Sequence, residues 1–398
     1  MQQIALLLQG GGALGAYELG VLRHMHEKQM LPVQMVAGVS IGAANAAVLV
    51  GSRSDDPLPA LETLWQKLTV PQIPFAPDIV EQNLALFGNP HMSRLRTDFW
   101  NMPHWTAMYS PDPLRELLHE LVDFDKLNSS DTIVQLSAVQ IESGEIVTFT
   151  NRNGQRITAD HVIASLSIPP MFPAVEIDGR HYWDGGLFDN APLGAMINGL
   201  PAASPIRFVI VNLFPLKGLV PQNLPQVQDR MLEIIFSNKV LGDMERMEDY
   251  NALAELARKL KKVLPAGSPI LGMPGFQDIE RLSMIEHPVV ITNNMPEEQS
   301  ATLDFSPKSI ANRIAAGYRD ATAALAAPAG QSAAASKPAA AAKPQAANKS
   351  ATKATVRTRA KTGTAASQAS AAPPKPTTAK PATAKAAPAR ARKPAAKE

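Results

Sequence analysis

The chain has 398 residues, of which 45% are hydrophobic, and it contains no cysteine. This length and composition suit one large globular domain or two ordinary ones. The lack of cysteine excludes disulfide-stapled scaffolds, cysteine nucleophiles and cysteine-ligated metal sites, and it fits a reducing compartment.

The net charge of +2 is the balance of two oppositely charged parts of the chain. Residues 326–398 contain 14 Lys and Arg against one acid, Glu398, which gives this segment +13 and the remainder −11. The segment is rich in Ala, Pro, Lys, Thr and Ser, so it cannot bury enough apolar surface to offset the entropy of ordering. We predict a disordered basic tail. It either binds polyanions, namely anionic membrane or nucleic acid, through charge alone, or is a solvated linker with no partner.

The first fifty residues alternate between strand-like and helix-like runs. Residues 4–8 and 33–37 read as buried strands, and residues 16–30 and 41–50 read as helices. This order predicts an α/β fold with a mainly parallel central sheet.

The first apolar run is too short for a signal peptide and has no basic flank, and no run reaches the ~18 apolar residues of a membrane span. We therefore expect a cytoplasmic protein, with peripheral membrane contact at most.

The rest of the chain divides into further segments. Residues 71–113 interrupt the α/β rhythm and are rich in Trp, Phe, Met and Pro, which predicts an insertion that either packs on the sheet as a flap or forms a lid. Further strands are predicted at 132–141, 145–150 and 207–213. We expect one domain over 1–225, a helical C-terminal extension over 226–325 and the tail after it. Ser306 and Pro307 are predicted to begin the last helix.

A serine stands between two glycines in "GVSIG", after the second predicted strand and before the second helix. In the strand-turn-helix elbow of serine hydrolases, the residues around the nucleophile must be small because the backbone is strained and closely packed. Gly38 and Gly42 meet that need around Ser40. The motif by itself leaves two interpretations open, a nucleophile or an ordinary serine in a glycine turn.

A second glycine-rich segment, "GGGALG", follows the first strand and contains Gly10, Gly11, Gly12 and Gly15. One interpretation is a dinucleotide-binding turn, which requires an acidic residue roughly 20 positions later. No acid occurs in residues 31–39, which argues against that interpretation. The free amides of such a turn also suit an oxyanion, as a serine nucleophile on the next strand would need.

The proton acceptor for a serine nucleophile is the remaining question. The best candidate is Asp184 in "HYWDGG", which follows a strand-like stretch and precedes Gly185 and Gly186; the alternative is a carboxylate that caps a turn. None of the eight histidines lies in a convincing catalytic context; they are His24, His26, His91, His104, His119, His161, His181 and His287.

Taken together, the three motifs resemble those of the patatin-like acyl hydrolases. The resemblance runs from the first strand to about residue 215 and includes "ASLSIPPMFPAVEIDGRHYWDGG" and the Asn190-Ala191-Pro192 that follows. It implies a three-layer α/β sandwich and a Ser40–Asp184 catalytic dyad with no histidine. It also implies that the amides of Gly11 and Gly12 form the oxyanion hole. Many members carry Arg or Lys where this chain has Leu14, which leaves the substrate preference more open than the reaction.

The activity implied by the resemblance is hydrolysis of lipid acyl esters, of the phospholipase A or lysophospholipase kind, through an acyl-enzyme and with no metal or organic cofactor. The alternative is a granule-, membrane- or nucleic-acid-associated protein that acts mainly through its basic tail, with hydrolysis secondary or lost. The sequence gives no oligomeric state.

Overall fold

The structure is a computed structural model that describes residues 3–200, 206–214, 218, 220–222, 224–282, 288–295 and 302–326. The predicted disordered tail, beyond its first residue, lies outside the described residues, and so does His287. In the described part of the chain, no helix is both long and apolar enough to cross a membrane.

The described residues form an alternating series of strands and helices. The strands are β1 (Gln3–Leu8), β2 (Met35–Val39), β3 (Arg94–Leu95), β4 (Tyr109–Ser110), β5 (Ile133–Gln140), β6 (Ile146–Thr150), β7 (Val175–Ile177), β8 (Arg180–Asp184), β9 (Ile206–Asn212) and β10 (Val289–Thr292). The helices are α1 (Ala16–Glu27), α2 (Ile41–Gly51), α3 (Leu58–Leu68), α4 (Asp78–Asn83), α5 (Asp112–Leu121), α6 (Phe124–Ser129), α7 (Ala159–Leu166), α8 (Leu193–Gly199), α9 (Leu224–Val263), α10 (Pro274–Leu282) and α11 (Pro307–Ala326).

The predicted α/β fold with a mainly parallel sheet is confirmed. Seven strands follow the order β10-β9-β1-β2-β5-β8-β7, and β6 pairs with the other side of β5. The pairs from β10 to β5 are parallel, and those involving β6, β7 and β8 are antiparallel. The central strands are nearly continuous apolar runs because helices cover both of their faces.

The two faces of the sheet pack against different helices, as expected for a three-layer sandwich. Along β1, Leu6 and Leu8 join a core that includes residues of α1, α2, α3, α5, α7 and α11. Ala5 and Leu7 alternate with them and join a second core, with Met196 of α8. This alternation follows from the two-residue period of a strand.

The strands β2 and β8 meet on one side of β5, and this junction brings the candidate functional residues Ser40 and Asp184 together. Val39, the last residue of β2, pairs with Ser137, and Asp184, the last residue of β8, pairs with the next residue, Ala138. Since β6 pairs with both of these β5 residues from the other side, β2 and β8 lie on the same side of β5. The two strands run in opposite directions and end head to head. The chain must therefore leave the sheet at Ser40.

The segment expected as a helical extension, 226–325, also contributes to the sheet and the core. Its strand β10 pairs with β9, and its last helix, α11, packs against α1. A Cβ on Gly20 of α1 would meet the backbone of Ile314, and one on Gly317 of α11 would meet the backbone of Tyr17. The two helices therefore approach each other at backbone distance, which only glycine permits at these two positions.

The predicted insertion, 71–113, combines buried anchors with exposed aromatic side chains. The amides of Met108 and Tyr109 donate to the carbonyls of Pro170 and Met171 at 3.0 and 2.9 Å. The Tyr109 hydroxyl donates to the Leu86 carbonyl at 2.6 Å. In contrast, Trp100 is 85% exposed, and Phe75, Phe87 and Phe99 are also exposed. The segment is therefore partly anchored to the rest of the domain and partly exposed to solvent.

Candidate active site

Ser40 occupies the sharp turn between β2 and α2. Its backbone has φ 52° and ψ −126°, in the left-handed region that a non-glycine residue rarely adopts. A Cβ on Gly38 would meet the backbone of Gly42, and a Cβ on Gly42 would meet the carbonyl of Leu8. Both glycines of "GVSIG" are thus required by close backbone approach, which is the geometry of a nucleophile elbow.

Asp184 lies beside this turn at the end of β8 and is only 2% exposed. The Gly186 amide donates to its Oδ1 at 2.8 Å. Burial raises the pKa of Asp184 to about 7. The Ser40 side chain is close enough to the carboxyl to favour its ionised form and so to lower its pKa, and the Gly186 amide acts in the same direction. A carboxyl with this pKa can both accept and return a proton near neutral pH.

The two glycines after Asp184 let this loop lie against its neighbours. A Cβ on Gly185 would meet the carbonyl of Ser137, at the junction of β2 and β8. A Cβ on Gly186 would lie 2.9 Å from Oδ1 of Asn190. A side chain at either position would therefore collide with these neighbours.

The glycine-rich turn lies next to Ser40 and is held in place from two sides. The Asn190 side chain donates to the Gly10 carbonyl at 2.9 Å, and the Ala13 amide donates to the Thr302 carbonyl at 2.9 Å. Gly12 has φ +55°, and a Cβ on it would collide with the same Thr302 carbonyl. Among the described residues, none accepts a hydrogen bond from the amides of Gly11 or Gly12, which leaves both N–H groups available to an anion.

The other end of the glycine-rich turn is fixed by a buried polar network that sequence reasoning missed. Asn45 of α2 donates to the Gly15 carbonyl at 3.2 Å and to Oε2 of Glu18 at 2.7 Å, and accepts from the indole of Trp65 at 3.0 Å. Burial raises the pKa of Glu18 well above its usual range. A Cβ on Gly15 would meet the side chain of Ile41, next to the nucleophile. The network thus joins the starts of α1 and α2.

An apolar cavity of about 150 Å³ opens above Ser40, Asp184 and Gly10–Gly12. Its walls come from parts of the chain that are distant in sequence. They comprise Ala85, Asn89, Met92, Ser93 and Tyr109 of the insertion; Leu166, Ile168, Met171 and Phe172 after α7; and Phe214, Phe236, Thr302, Leu303 and Phe305 of the C-terminal segments. These walls are mostly apolar and suit an alkyl chain; their polar members are Asn89, Ser93 and Thr302.

The histidines lie elsewhere. None of the seven that the structure describes lines this cavity. Three of them have structural contacts instead: His24 Nδ1 lies 3.0 Å from the Thr322 hydroxyl, His161 caps the start of α7, and His181 Nδ1 lies 2.8 Å from Glu142. Leu14, at the position where the resemblance leads one to expect a cation, is buried in the core at 2% exposure.

The comparisons with known proteins agree with this arrangement of motifs. A family model described as patatin-like phospholipase matches residues 6–197. Triacylglycerol lipase SDP1L of Arabidopsis thaliana is 50% identical over 50 residues, which is 13% of this chain and 6% of that protein. The chain thus spans a small fraction of that relative's length.

Two solved structures are also similar to parts of the chain. VipD from Legionella pneumophila has 15% identity and a TM-score of 0.37, covering 82% of this chain and 67% of that one. ExoU, in its complex with SpcU from Pseudomonas aeruginosa, has 17% identity and a TM-score of 0.30, covering 60% and 50%. The family match covers both candidate catalytic residues and the glycine-rich turn. Residues 6–197 of the chain thus match the patatin-like phospholipase family.

Proposed function

We propose that this protein is a serine acyl hydrolase that cleaves lipid acyl esters with a Ser40–Asp184 dyad. The observation that carries the proposal is the placement of Ser40 and the buried Asp184 together on the floor of one apolar cavity, next to the unused amides of Gly11 and Gly12. Nucleophile, base and oxyanion donors are the three groups that acyl transfer requires.

The geometry supports a two-step mechanism. Ser40 Oγ attacks the ester carbonyl carbon while its proton passes to Asp184, and the carbonyl oxygen becomes an oxyanion at the Gly11 and Gly12 amides. The C–O bond then breaks, Asp184 gives its proton to the departing alcohol, and an acyl-enzyme remains. Asp184 next takes a proton from water, which attacks the acyl-enzyme. The carboxylic acid leaves, and the proton returns to Ser40.

Two measurements on the full chain test this proposal. A fluorophosphonate probe should label the protein, and peptide mapping by mass spectrometry should locate the label at Ser40. A panel of lipid classes, run with wild type and Ser40→Ala, should then identify the ester that only wild type cleaves. Labelling at another residue, or equal hydrolysis by both proteins, would exclude the proposed chemistry.

The pH dependence of activity follows from the pKa of Asp184. Because the base must be ionised, kcat/KM on a soluble ester should rise about tenfold per pH unit below a midpoint near 7 and then level off. The free energy of unfolding should show the opposite trend. The folded state holds this proton up to about pH 7, whereas the unfolded chain releases it near its usual pKa, so the carboxyl's contribution to stability is lost as pH rises through 7.

The control for the pH prediction is Asp184→Asn, which cannot titrate. The stability of wild type relative to this variant should decline between about pH 4 and 7, measured by urea unfolding at each pH. An activity midpoint near pH 4 would show that Asp184 is not a buried base.

We also propose that the insertion, 71–113, acts as a lid that meets lipid. Its inner side lines the cavity through Met92 and Tyr109, and its outer side exposes Trp100 and other aromatic residues. Exposed apolar patches of this kind mark surfaces that contact lipid or other proteins.

Trp100→Ala should therefore reduce turnover of vesicle or micelle substrates by about 5- to 10-fold, and turnover of a short soluble ester by less than about twofold. Val263→Ala is the matched control, because Val263 is 77% exposed at the end of α9, outside the insertion, and should affect neither substrate. Equal losses on both substrates in Trp100→Ala would favour a purely structural role for the insertion.

A further inference from the structure

A single buried hydroxyl connects the candidate nucleophile to the central sheet. Ser165 lies near the C-terminal end of α7 with no exposed surface. Its Oγ accepts a hydrogen bond from the Ser40 amide at 3.0 Å and donates one to the Ser137 carbonyl at 2.7 Å. The hydroxyl thus bridges backbone groups of the elbow and of β5.

The direction of both hydrogen bonds is fixed. A serine hydroxyl has one proton, and the Ser137 carbonyl can only accept, so the proton of Ser165 points to Ser137. A lone pair of Oγ is then left to face the Ser40 amide, which can only donate. The bridge therefore holds the Ser40 amide in one orientation relative to β5.

The two hydrogen bonds of Ser165 lie at the point where the backbone of the elbow is strained. Beyond Val39, the next position along β5 is taken by Asp184, so β2 cannot continue its ladder and the chain turns away with φ +52° at Ser40. Such a backbone persists only where surrounding contacts determine it. The same end of α7 also contacts the other candidate catalytic residue, since the Asp184 amide donates to the Ser167 carbonyl at 3.0 Å.

We propose that Ser165 is a positioning residue that holds the Ser40 elbow in its strained conformation and so aligns the nucleophile with Asp184 and the glycine-rich turn. The inference rests on the proposed Ser40–Asp184 chemistry and adds the device that sets its geometry. Ser165 does not line the cavity, so it acts on the reaction only through Ser40.

The test compares Ser165→Ala with wild type in the full chain. Without an acceptor at position 165, the Ser40 amide loses its partner and the elbow relaxes. We expect kcat on a soluble ester and the second-order rate of fluorophosphonate labelling to fall together, each by about 10- to 100-fold. KM should stay within about threefold, because the cavity walls are unchanged. The pH midpoint should stay near 7, because Ser165 does not contact the Asp184 carboxyl.

Thr132→Val is the matched control for the loss of a buried hydroxyl. Thr132 is 6% exposed just before the first residue of β5 and donates to the Val33 carbonyl at 2.8 Å, away from the junction at Ser137 and Ala138. It should lower Tm and leave kcat and labelling unchanged. Ser165→Cys replaces the hydroxyl oxygen with a sulfur that forms weaker hydrogen bonds. Its kcat and labelling rate should lie between those of Ser165→Ala and wild type.

The outcomes separate the two proposals. If wild type labels at Ser40 and Ser165→Ala labels equally fast, the positioning role is wrong and the dyad stands. The role is also wrong if Ser165→Cys is no faster than Ser165→Ala. If wild type does not label at Ser40, both the proposed dyad and the positioning role of Ser165 are wrong. If Ser165→Ala does not fold, the labelling rate of Ser165→Cys is compared with that of wild type. A slower rate would support the positioning role, and an equal rate would show that it is wrong.

Discussion

Ser40→Ala and Asp184→Asn should each lower ester hydrolysis by about 10⁴-fold or more, with the fold retained. The first substitution removes the only atom proposed to bond to the acyl group. The second replaces the base with an amide that cannot take the proton. Both changes are small and leave the cavity walls intact, so near-ultraviolet circular dichroism should match wild type. The measurement is kcat/KM on a soluble ester at pH 8, where Asp184 is ionised.

The histidines provide the control for this prediction. A Ser-His-Asp triad would require one histidine at the nucleophile, but none of the seven described ones lines the cavity. All eight single His→Ala variants should therefore keep measurable activity. A single histidine variant that is folded yet as inactive as Ser40→Ala would refute the dyad and identify the missing base.

Gly12→Ala should lower kcat by about 10²- to 10³-fold, the size of effect expected when an oxyanion donor is displaced. Gly12 has φ +55°, and an added Cβ would collide with the Thr302 carbonyl. The turn must move to relieve that contact, and the Gly11 and Gly12 amides move with it. KM should change little, since the lost interaction forms only as the oxyanion develops.

The Gly12 prediction needs a control for backbone strain alone. Gly144, in the turn between β5 and β6, has φ +71° and no heavy atom within 4 Å of an added Cβ. Gly144→Ala should therefore cost about 1–2 kcal/mol of stability from the positive φ and leave kcat unchanged. If both variants lost kcat equally, the effect would come from strain and not from the position of the oxyanion donors.

Local patterns predicted the framework of this protein because they depend on neighbours in sequence. The apolar run at 4–8, the helix at 41–50 and the glycines around Ser40 all lie where predicted, within one or two residues. A buried parallel strand must be apolar, and an elbow must have small flanking residues, whatever the rest of the chain does. The second strand is shifted by two residues, since 33–37 was predicted and β2 is Met35–Val39. The first helix was predicted over 16–30 and ends at Glu27.

The strand β10 shows where local patterns were insufficient. No strand is predicted after residue 226, yet residues 289–292 pair with β9 at the edge of the sheet. A four-residue apolar run has no helical or strand period that could distinguish it. Its pairing depends on β9, some eighty residues earlier, which supplies the open edge.

The sequence by itself determined which residues could perform the chemistry: a serine in an elbow, an aspartate before two glycines and a glycine-rich turn. The tertiary structure alone decided that they meet. Ser40 and Asp184 are far apart in the chain and come together because β2 and β8 end at neighbouring residues of β5. Strand pairing over such distances depends on the free energy of the whole packed sheet, which no local pattern contains. For the same reason, Ser165, Asn45 and Thr302 gave no sequence signal, since each acts only through the backbone it contacts in the folded state.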